Sequence, residues 1–307
     1  MVLDAQSVES LKLLILTDGK KGHENQSIAY ANLLGYEYVV CKVTFSSKWR
    51  KSLSYLLDFL SLHVKIFSHS NLPKKSFDCI VCTGSTTYYP AKVLGKKLGL
   101  PIIALMLPRG YKLADFKQIF ALNHDNPPNC ANITPLHVNI SQNNPEGIFK
   151  ATKPTLGIII GGSNSHFTCS VHEIKNHFKS IAKLFPEHDL AITTSPRTNL
   201  EIDDFIQSIN CKFKIIYSQN PQNPVGDFLE NCTDVCISED STSMLSQAIC
   251  WGTAKVHIMP LKSEKEDNKY HRFANFLVQN GYASWLGEPS LHVKKYELKT
   301  TLNEAKT

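Results

Sequence analysis

The stretch Leu156-Gly157-Ile158-Ile159-Ile160-Gly161-Gly162-Ser163-Asn164-Ser165-His166 lies near the middle of the 307-residue chain. Its unbroken apolar run is typical of a strand buried on both faces of a parallel sheet. The run ends in two glycines, which permit a sharp turn and leave backbone N–H groups uncovered. The polar residues that follow suit the entry to a helix, whose N-terminus attracts anions. Two interpretations are open for these residues alone: a phosphate or diphosphate cradle, or a strand–loop–helix turn without a ligand.

Strands and helices alternate on both sides of this stretch, which predicts right-handed β-α-β units and parallel sheets. The predicted strands are 11–16, 36–43, 78–82, 101–106, 117–122, 156–160, 188–194, 213–217, 234–237 and 255–259. Asparagine and proline cluster between residues 126 and 153, which is typical of turns and linkers. We therefore expect an N-terminal Rossmann-like domain at 1–150, a second at 151–290, and a tail at 291–307 that could pack back on the first. The predicted fold is α/β, with two doubly wound domains facing each other across a cleft.

The bulk composition is that of a soluble globular protein, with 42% apolar and 20% charged residues. No apolar run is long enough to span a bilayer, and the N-terminal residues lack the basic and apolar segments of a secretory signal. The formal net charge of +6 favours anionic partners such as nucleotides, phosphosugars or acidic lipid surfaces.

The nine cysteines are predicted to be free thiols. Cys79 and Cys82 have C-x-x-C spacing, but they lie in an apolar run, and a strand places residues three apart on opposite faces. Cys232 and Cys236 are interpreted in the same way, and no second C-x-x-C or H-x-x-x-H completes a zinc site. We therefore expect no metal centre and a reducing, cytoplasmic location.

Polar clusters follow the predicted strands in both halves of the chain. In open α/β sheets, ligands bind outside the carboxyl ends of the strands. The clusters of the first half are Asp18, His23 and Glu24, then Gly84 and Ser85, then Arg109, then His124 and Asp125. Those of the second half are Gly161, Gly162 and Ser163, then Ser195 and Arg197, then Glu239, Asp240, Ser241 and Ser243.

The clusters of the first half have functional and structural interpretations. His23, with Asp18 or Glu24, is a candidate general base, unless Asp18 only caps the loop and a helix begins at His23. Arg109 is a candidate clamp for a carboxylate or phosphate, or a solvated arginine. The pair after strand 117–122 either contacts the substrate or forms an Asx turn.

The clusters of the second half are equally ambiguous. Arg197 is a candidate for neutralising a diphosphate or stacking on a base. Glu239 and Asp240 could hold a ribose hydroxyl and Ser241 a phosphate, although acidic and hydroxyl residues are also ordinary N-caps. The histidines outside these clusters are predicted to be structural; they include His63, His69, His172 and His177.

The segment that begins at Lys48 and ends at Phe67 combines basic residues, Trp49 and a leucine-rich stripe at helical spacing. One interpretation is a helix that rests on a membrane surface. The preferred interpretation is a core-facing helix whose basic end is solvated.

Taken in order, the motifs point to one family. They are Thr17-Asp18-Gly19-Lys20-x-Gly22-His23-Glu24-Asn25-Gln26, Leu107-Pro108-Arg109, His124-Asp125, Gly161-Gly162-Ser163, Thr194-Ser195-x-Arg197-Thr198 and Glu239-Asp240-Ser241-x-Ser243-Met244. This set, which begins near Leu11 and ends near Leu286, resembles the mitochondrial fission ELM1-like family, whose bacterial members are classed as glycosyltransferases. Pro196 stands where a second arginine is expected, and Lys21 where proline is usual.

The resemblance implies a GT-B-like fold, in which the C-terminal domain usually holds a nucleotide-sugar and the N-terminal domain holds the acceptor. It also implies catalysis without a metal, because helix N-termini and basic side chains stabilise the leaving phosphate group. The plant namesakes are linked to recruiting the fission machinery to mitochondria, which is a binding role. The resemblance therefore leaves enzyme and adaptor open.

The leading hypothesis is a metal-independent glycosyltransferase without a cofactor, which moves a sugar from a nucleotide-sugar to an envelope glycolipid or polysaccharide precursor. The donor side is formed by the clusters of the second half, the acceptor side by Gly84, Ser85, Arg109, His124 and Asp125, and the catalytic group by His23 with Asp18 or Glu24. We expect a cytoplasmic protein with peripheral contact at the inner face of the membrane through residues 48–67, and no nucleic-acid partner. The alternatives are a non-catalytic adaptor that keeps the fold and a nucleotide-sugar epimerase.

Overall fold

The computed structural model describes residues 10–70, 72, 75–263, 265, 268–288 and 294–305. The chain divides into two compact units. One comprises Met1–Ser141 with Leu298–Thr307, and the other comprises Gln142–Glu297. Each unit has the predicted α/β fold with a largely parallel sheet.

The first unit, over its described residues, contains a seven-stranded sheet in the order β3-β2-β1-β4-β5-β6-β7. Its strands are β1 Lys12–Thr17, β2 Glu37–Thr44, β3 Ser68–His69, β4 Cys79–Cys82, β5 Ile102–Ala104, β6 Gln118–Leu122 and β7 Ile133–Leu136. Its helices between strands are α1 Lys21–Leu34, α2 Lys48–Phe59 and α3 Tyr88–Leu98. Neighbouring strands are parallel except for β3, which is antiparallel to β2. The strand order reverses between β1 and β4, and such a switch point is where open α/β sheets bind ligands.

The second unit contains, in its described part, a parallel six-stranded sheet in the order β11-β10-β8-β12-β13-β15. Its strands are β8 Thr155–Ile160, β9 Phe167–Thr168, β10 Asp189–Thr194, β11 Phe213–Ile215, β12 Asp234–Ser238, β13 Lys255–Met259, β14 Lys262–Ser263 and β15 Ser284–Trp285. Its helices are α4 Val171–Leu184, α5 Leu200–Ser208, α6 Val225–Asn231, α7 Thr242–Cys250 and α8 Lys269–Gln279. β9 and β14 form a separate antiparallel pair. The switch point of the sheet lies between β8 and β12.

The central strands of both sheets are apolar runs with both faces covered. Every residue of β8, Thr155–Ile160, is buried, as the opening stretch of the sequence predicts. Leu13, Leu14, Ile15 and Leu16 of β1 are at most 1% exposed. Burial on both faces removes apolar area from water and positions the polar loops that follow these strands.

The C-terminal helix, α9 Leu298–Glu304, belongs to the first unit and lies against α1. Leu298 and Leu302 are buried. The predicted packing of the tail on the first unit is therefore confirmed for α9, whereas residues 294–297 belong to the second unit.

The boundary between the units differs from the expected position after residue 150. Asn143 Nδ2 donates to Glu230 Oε1 at 2.9 Å, and the N–H of Gly147 donates to Asp227 Oδ1 at 2.9 Å. These bonds fix residues 142–150 to the second unit. That unit also runs past residue 290, to Glu297.

Two local predictions are wrong. The segment 126–153 is not only a linker, because it contains β7; Pro135 is tolerated there since β7 is an edge strand. The residues after Ser163 do not enter a helix directly. They lead through β9 to α4, whose N-cap is Ser170.

Helix α2 also departs from its preferred interpretation. It ends at Phe59, well before Phe67, and its buried residues are Ser54 and Asp58. The predicted core-facing stripe is divided: Trp49 is 70% and Leu56 is 53% exposed, whereas Leu57 is half-buried and packs against the core. Spacing alone gives a stripe, but not the side of the helix that faces the protein.

The thiols of Cys79, Cys82, Cys232 and Cys236 are free and buried, as predicted. Burial raises the pKa of Cys79 to about 12, so that this thiol stays protonated at neutral pH. In the part of the chain that the structure describes, no helix is long and apolar enough to cross a membrane.

Candidate functional site

His23 and Asp18 form a side-chain pair at the switch point of the first sheet. Asp18 follows β1 and His23 lies in the first turn of α1, so the short loop places Nδ1 of His23 3.1 Å from Oδ1 of Asp18. The carboxylate is 5% exposed and the imidazole 24% exposed. Asp18 also accepts the N–H of Lys20 at 3.2 Å, so it caps the loop as well as orienting the histidine.

Gly84, which follows β4, has no Cβ and therefore leaves room for the His23 ring. A Cβ at position 84 would lie 2.4 Å from Cε1 and Nδ1 of His23, and the φ of Gly84 is +89°. Glycine alone satisfies both conditions without strain. Ser27 of α1 and Thr83, which follows β4, reinforce this contact through a 2.8 Å hydrogen bond of their hydroxyls.

The remaining predicted residues of the first unit, except Glu24, lie on loops that follow strands. Ser85 Oγ accepts a 2.8 Å bond from Lys51 Nζ of α2. Glu24 lies in the first turn of α1, where a carboxylate suits the helix dipole. Lys51 was missed as a member of this loop cluster because nothing in the α2 sequence shows which loop it reaches.

Arg109, after β5, and Asp125, after β6, are brought together. The Arg109 guanidinium donates to the backbone carbonyl of Asp125 and lies 4.0 Å from its carboxylate. The arginine side chain is 64% exposed. His124 and Asp125 form a 3-10 turn with Asn123 rather than a simple Asx turn.

In the second unit, Asp240 lies at the centre of the switch point between β8 and β12. Its Oδ2 accepts bonds from Arg197 Nη2 at 2.6 Å and from the N–H of Gly162 at 3.1 Å. Its Oδ1 accepts a 2.6 Å bond from Ser238 Oγ. Burial raises the pKa of the Asp240 carboxyl above its ordinary value, and these bonds oppose part of that rise.

The two glycines of the opening stretch allow this close approach. A Cβ at Gly161 would lie 2.2 Å from both carboxylate oxygens of Asp240, and one at Gly162 would lie 2.0 Å from the carbonyl oxygen of Arg197. The N–H of Gly161 donates to Ser238 Oγ at 2.7 Å. Both amides are therefore engaged within the protein. Their predicted role in holding phosphate stays a prediction, and it requires both amides to exchange partners.

The predicted hydroxyl residues hold the loops in place. Ser163 Oγ accepts the N–H of Cys169 at 3.0 Å, and Ser195 Oγ donates to the Gly161 carbonyl at 2.9 Å. Ser241 is the N-cap of α7. Ser243 lies in the first turn of α7 and is exposed, so its side chain is accessible at this edge of the sheet.

Glu239 belongs to a group that includes two residues for which the sequence predicts no role in the site, His271 and Trp285. Its Oε1 lies 2.6 Å from Nδ1 of His271, and its Oε2 accepts the N–H of Leu261 at 3.1 Å. The His271 ring stacks on Trp285, with centroids 5.5 Å apart. Burial raises the pKa of the Glu239 carboxyl. No sequence signal links these residues, because they come from three separate elements of the second unit.

The two arrangements differ in chemistry. Arg197 is 43% exposed, and its guanidinium has donors besides the Nη2 that Asp240 holds, so it can meet an anionic ligand. The carboxylates of Glu239 and Asp240 are buried and internally bonded, which makes them organisers of the loop. In the first unit, the Asp18 carboxylate orients the His23 imidazole, an arrangement that suits a general base.

The model of the family described as Mitochondrial fission ELM1 matches residues 21–307, and the chain belongs to that family. No curated protein matches the chain in sequence. The resemblance given by the sequence motifs is thereby confirmed.

The solved structures that match this chain include two glycosyltransferases and a UDP-GlcNAc 2-epimerase. The glycosyltransferase SnogD from Streptomyces nogalater is 10% identical, with 97% of this chain and 94% of that chain covered and a TM-score of 0.50. The spinosyn forosaminyltransferase SpnP is 12% identical, with 96% and 91% covered and a TM-score of 0.52. UDP-GlcNAc 2-epimerase from Neisseria meningitidis is 14% identical, with 96% and 90% covered and a TM-score of 0.48. The first two similarities show a Rossmann-like fold of the GT-B type.

Proposed function

We propose that this member of the mitochondrial fission ELM1 family is a glycosyltransferase that uses a nucleotide-sugar and no metal ion. The observation that carries the proposal is the exposed Arg197, held by the buried Asp240 at the switch point of the second sheet. Switch points of open α/β sheets bind nucleotides, and a fixed arginine can stabilise the negative charge of a leaving phosphate.

The donor side of the proposed site lies in the second unit. Arg197 and the first turn of α7, with Ser243, would bind the phosphates, since cationic side chains and helix N-termini both attract anions. Gly161 and Gly162 would contribute through their missing side chains, which let the Asp240 carboxylate and the Arg197 backbone approach the loop after β8. The other donor-side residues, which shape the loops around these groups, would be Ser163, Ser195, Glu239 and Ser241.

The acceptor side would lie in the first unit, with His23 as the base. Because Asp18 faces Nδ1, the proton is favoured on that nitrogen, which leaves Nε2 to accept the proton of an acceptor hydroxyl. As that oxygen bonds to the anomeric carbon, the bond from this carbon to the donor phosphate breaks. The residues that would line the acceptor are Gly84, Ser85, Arg109, His124 and Asp125.

We propose as the acceptor an envelope glycolipid or polysaccharide precursor. A lipid-linked acceptor lies at a membrane surface, so peripheral contact of residues 48–67 from the cytoplasmic side belongs to the same proposal. The net charge of +6 favours such an anionic surface.

Thermal unfolding with UDP-, GDP-, ADP- and CMP-sugars tests donor binding. One nucleotide series should raise Tm, because a ligand at a hundred times its Kd stabilises the folded protein by about 2.7 kcal/mol. Arg197→Ala should reduce that shift, whereas Lys183→Ala, an exposed cation on α4, should retain it. If no nucleotide-sugar raises Tm at millimolar concentration, the transferase proposal loses its support.

A non-catalytic adaptor is the second candidate, favoured by the description of the family, which refers to mitochondrial fission. An adaptor should bind no nucleotide-sugar, and His23→Ala and Arg197→Ala should leave its function intact. Release of nucleotide only when an acceptor is present indicates transfer. Conversion of the donor sugar without any acceptor indicates an epimerase.

A further inference from the structure

The first unit concentrates exposed apolar side chains on one short segment. Among the described residues, twelve large apolar side chains are exposed, and six of them lie within residues 49–64. These six, which we call the apolar patch, are Trp49, Leu56, Phe59, Leu60, Leu62 and Val64. Scattered exposed apolar residues are ordinary, but a contiguous group of large ones marks an interaction surface.

Helix α2 presents its apolar face outward. Trp49, Leu56 and Phe59 are spaced by seven and three residues, which places them on one face of the helix. They are 70%, 53% and 73% exposed. The two fully buried residues of the same helix are polar, Ser54 and Asp58, and Tyr55 and Leu57 are half-buried against the core. The most exposed face of α2 is therefore apolar, whereas the outward face of a helix on a soluble protein is usually polar.

Hydrogen bonds hold α2 in the orientation that exposes its apolar side chains. The hydroxyls of Ser54 and Tyr111 lie 2.9 Å apart. Asp58 Oδ1 accepts a 2.5 Å bond from Lys92 Nζ, and its Oδ2 accepts the N–H of Lys112 at 2.7 Å. If the helix rotated to bury its apolar face, the buried ion pair of Asp58 and Lys92 would break. That would cost a large amount of free energy, because Lys92 would stay buried without its partner. The apolar patch is therefore held outward.

The exposed charges within residues 48–67 are positive. Lys48 and Arg50 flank Trp49, and Lys65 follows Val64; all three cations are exposed. The only carboxylate in the sequence of residues 48–67 is Asp58, which is buried and paired. An anionic surface therefore meets no exposed carboxylate within this segment.

We propose that the apolar patch binds the surface of an anionic lipid membrane, with α2 lying in the interface. Outward apolar side chains beside cations are the combination by which interfacial helices bind acidic bilayers. A second copy of the chain fits this surface poorly, because the flanking cations would face their own counterparts. The inference rests on the membrane contact given under the proposed function and deepens it, by assigning that contact to the apolar patch and to acidic lipids. Vesicle binding requires neither donor nor acceptor, so it can fail or succeed independently of sugar transfer.

Sedimentation with phosphatidylcholine vesicles, with and without phosphatidylglycerol, tests the proposal. The full chain should sediment with the phosphatidylglycerol vesicles, and added salt should release it. Leu56→Gln with Phe59→Gln should weaken binding by at least about tenfold, since both side chains lose apolar area that enters the interface. Leu200→Gln, which changes a 72% exposed leucine of the second unit, is the matched control and should bind like the wild type.

The cations are tested in the same assay. Lys48→Gln with Arg50→Gln should weaken binding to the anionic vesicles by about fivefold per charge. Lys96→Gln with Lys97→Gln, which removes two exposed cations of α3, should have a much smaller effect. All these positions are exposed, so unchanged circular dichroism and Tm are expected and confirm folding.

Trp49 reports the contact directly. Its fluorescence should move to shorter wavelength with anionic vesicles, and Trp49→Phe should abolish that change although two other tryptophans remain among the three in the chain. The proposal is overturned if the chain ignores anionic vesicles, or if the glutamine pair at 56 and 59 binds like the wild type. It is also overturned if that pair instead abolishes self-association without vesicles, which would identify a protein interface.

Discussion

Gly84 has a positive φ, and the His23 imidazole packs directly against its backbone. The sequence shows a glycine in a loop after a strand, but it does not show that a ring from α1 needs the space of the missing Cβ. His23 and Asp18 were predictable as a pair because they are five positions apart, across one short loop. The glycine that admits His23 was predictable only as a turn residue.

Gly84→Ala should therefore lower the free energy of unfolding more than an ordinary substitution in the left-handed region. The loss should be about 1–3 kcal/mol by chemical denaturation, from the strained φ together with the overlap with His23. Gly35→Ala is the matched control, since Gly35 has a φ of +69° and no atom lies within 4 Å of its added Cβ.

A double-mutant cycle separates the two contributions. In a His23→Ala background, Gly84→Ala should cost only what Gly35→Ala costs, because the ring is gone. An unchanged cost in that background would show that His23 does not lie against Gly84 in solution.

Because of Lys295, we expect the free energy of unfolding to vary with pH in the alkaline range. Its Nζ donates to the carbonyls of Ala248, Trp251 and Ala254 at 2.8, 3.1 and 3.0 Å. Burial lowers its pKa from 10.5 to about 8. Between these values the unfolded chain binds more protons than the folded protein, so the stability from this group rises with pH.

Denaturation of the wild type and Lys295→Met from pH 8 to 10.5 tests this sign. The difference in free energy of unfolding should widen in favour of the wild type across that window. Lys294→Met, at the exposed neighbouring position, should follow the wild-type profile. A constant gap between wild type and Lys295→Met would contradict the buried position of this amine.

At the scale of elements, α2 and α3 are joined by a buried cation. Lys92 of α3 is 1% exposed; its Nζ lies 2.5 Å from Asp58 and 2.8 Å from Asp115. The amine also lies 5.1 Å from the centroid of the Phe116 ring. Because the side chains of Lys92 and Asp58 are both buried, they cannot separate into water unless the contact between α2 and α3 opens.

Lys92→Met should lower the free energy of unfolding by about 3–5 kcal/mol, because it leaves the carboxylate of Asp58 buried without its cation. The control is Lys96→Met on the same helix, which is exposed and should change stability by less than about 0.5 kcal/mol. Urea denaturation measures both. A cost for Lys92→Met no larger than the control's would mean that Asp58 reaches water.

The central elements were predictable because their sequences are apolar on both faces or periodic. The strand at 255–259 was predicted with the bounds it has, and α4 from its apolar face. The outward face of α2 was not predictable, since the partners of Asp58 and Ser54 come from residues 92 and 111, remote in sequence. β9 and β14 were missed because two-residue strands carry no periodic signal.

For the whole molecule, the two sheets share one organisation: each has a switch point, and polar loops meet there. The carboxyl-end rule therefore predicted that Asp18 and Gly84 follow strands at the ligand-binding edge of one sheet, and Arg197 and Asp240 at that edge of the other. It did not predict the bond between Arg197 and Asp240. The same rule gave no sign of His271, because α8 reaches Glu239 from outside the strand-end loops. The sequence thus predicts which loops follow strands at the ligand-binding edge. It does not predict which helix residues contact those loops.

The first unit is also built from both ends of the chain, which makes its stability depend on the C-terminus. Leu302 of α9 is completely buried, and α9 lies against α1. Leu302→Ala should lower the free energy of unfolding of this unit by about 2–5 kcal/mol, from lost burial and the cavity that remains. Hydrogen exchange should accelerate in α1 and α9, while β8 of the second unit keeps its protection. Lys299→Ala, exposed on the same helix, should leave both unchanged; equal acceleration in β8 would show that the two units do not unfold as separate bodies.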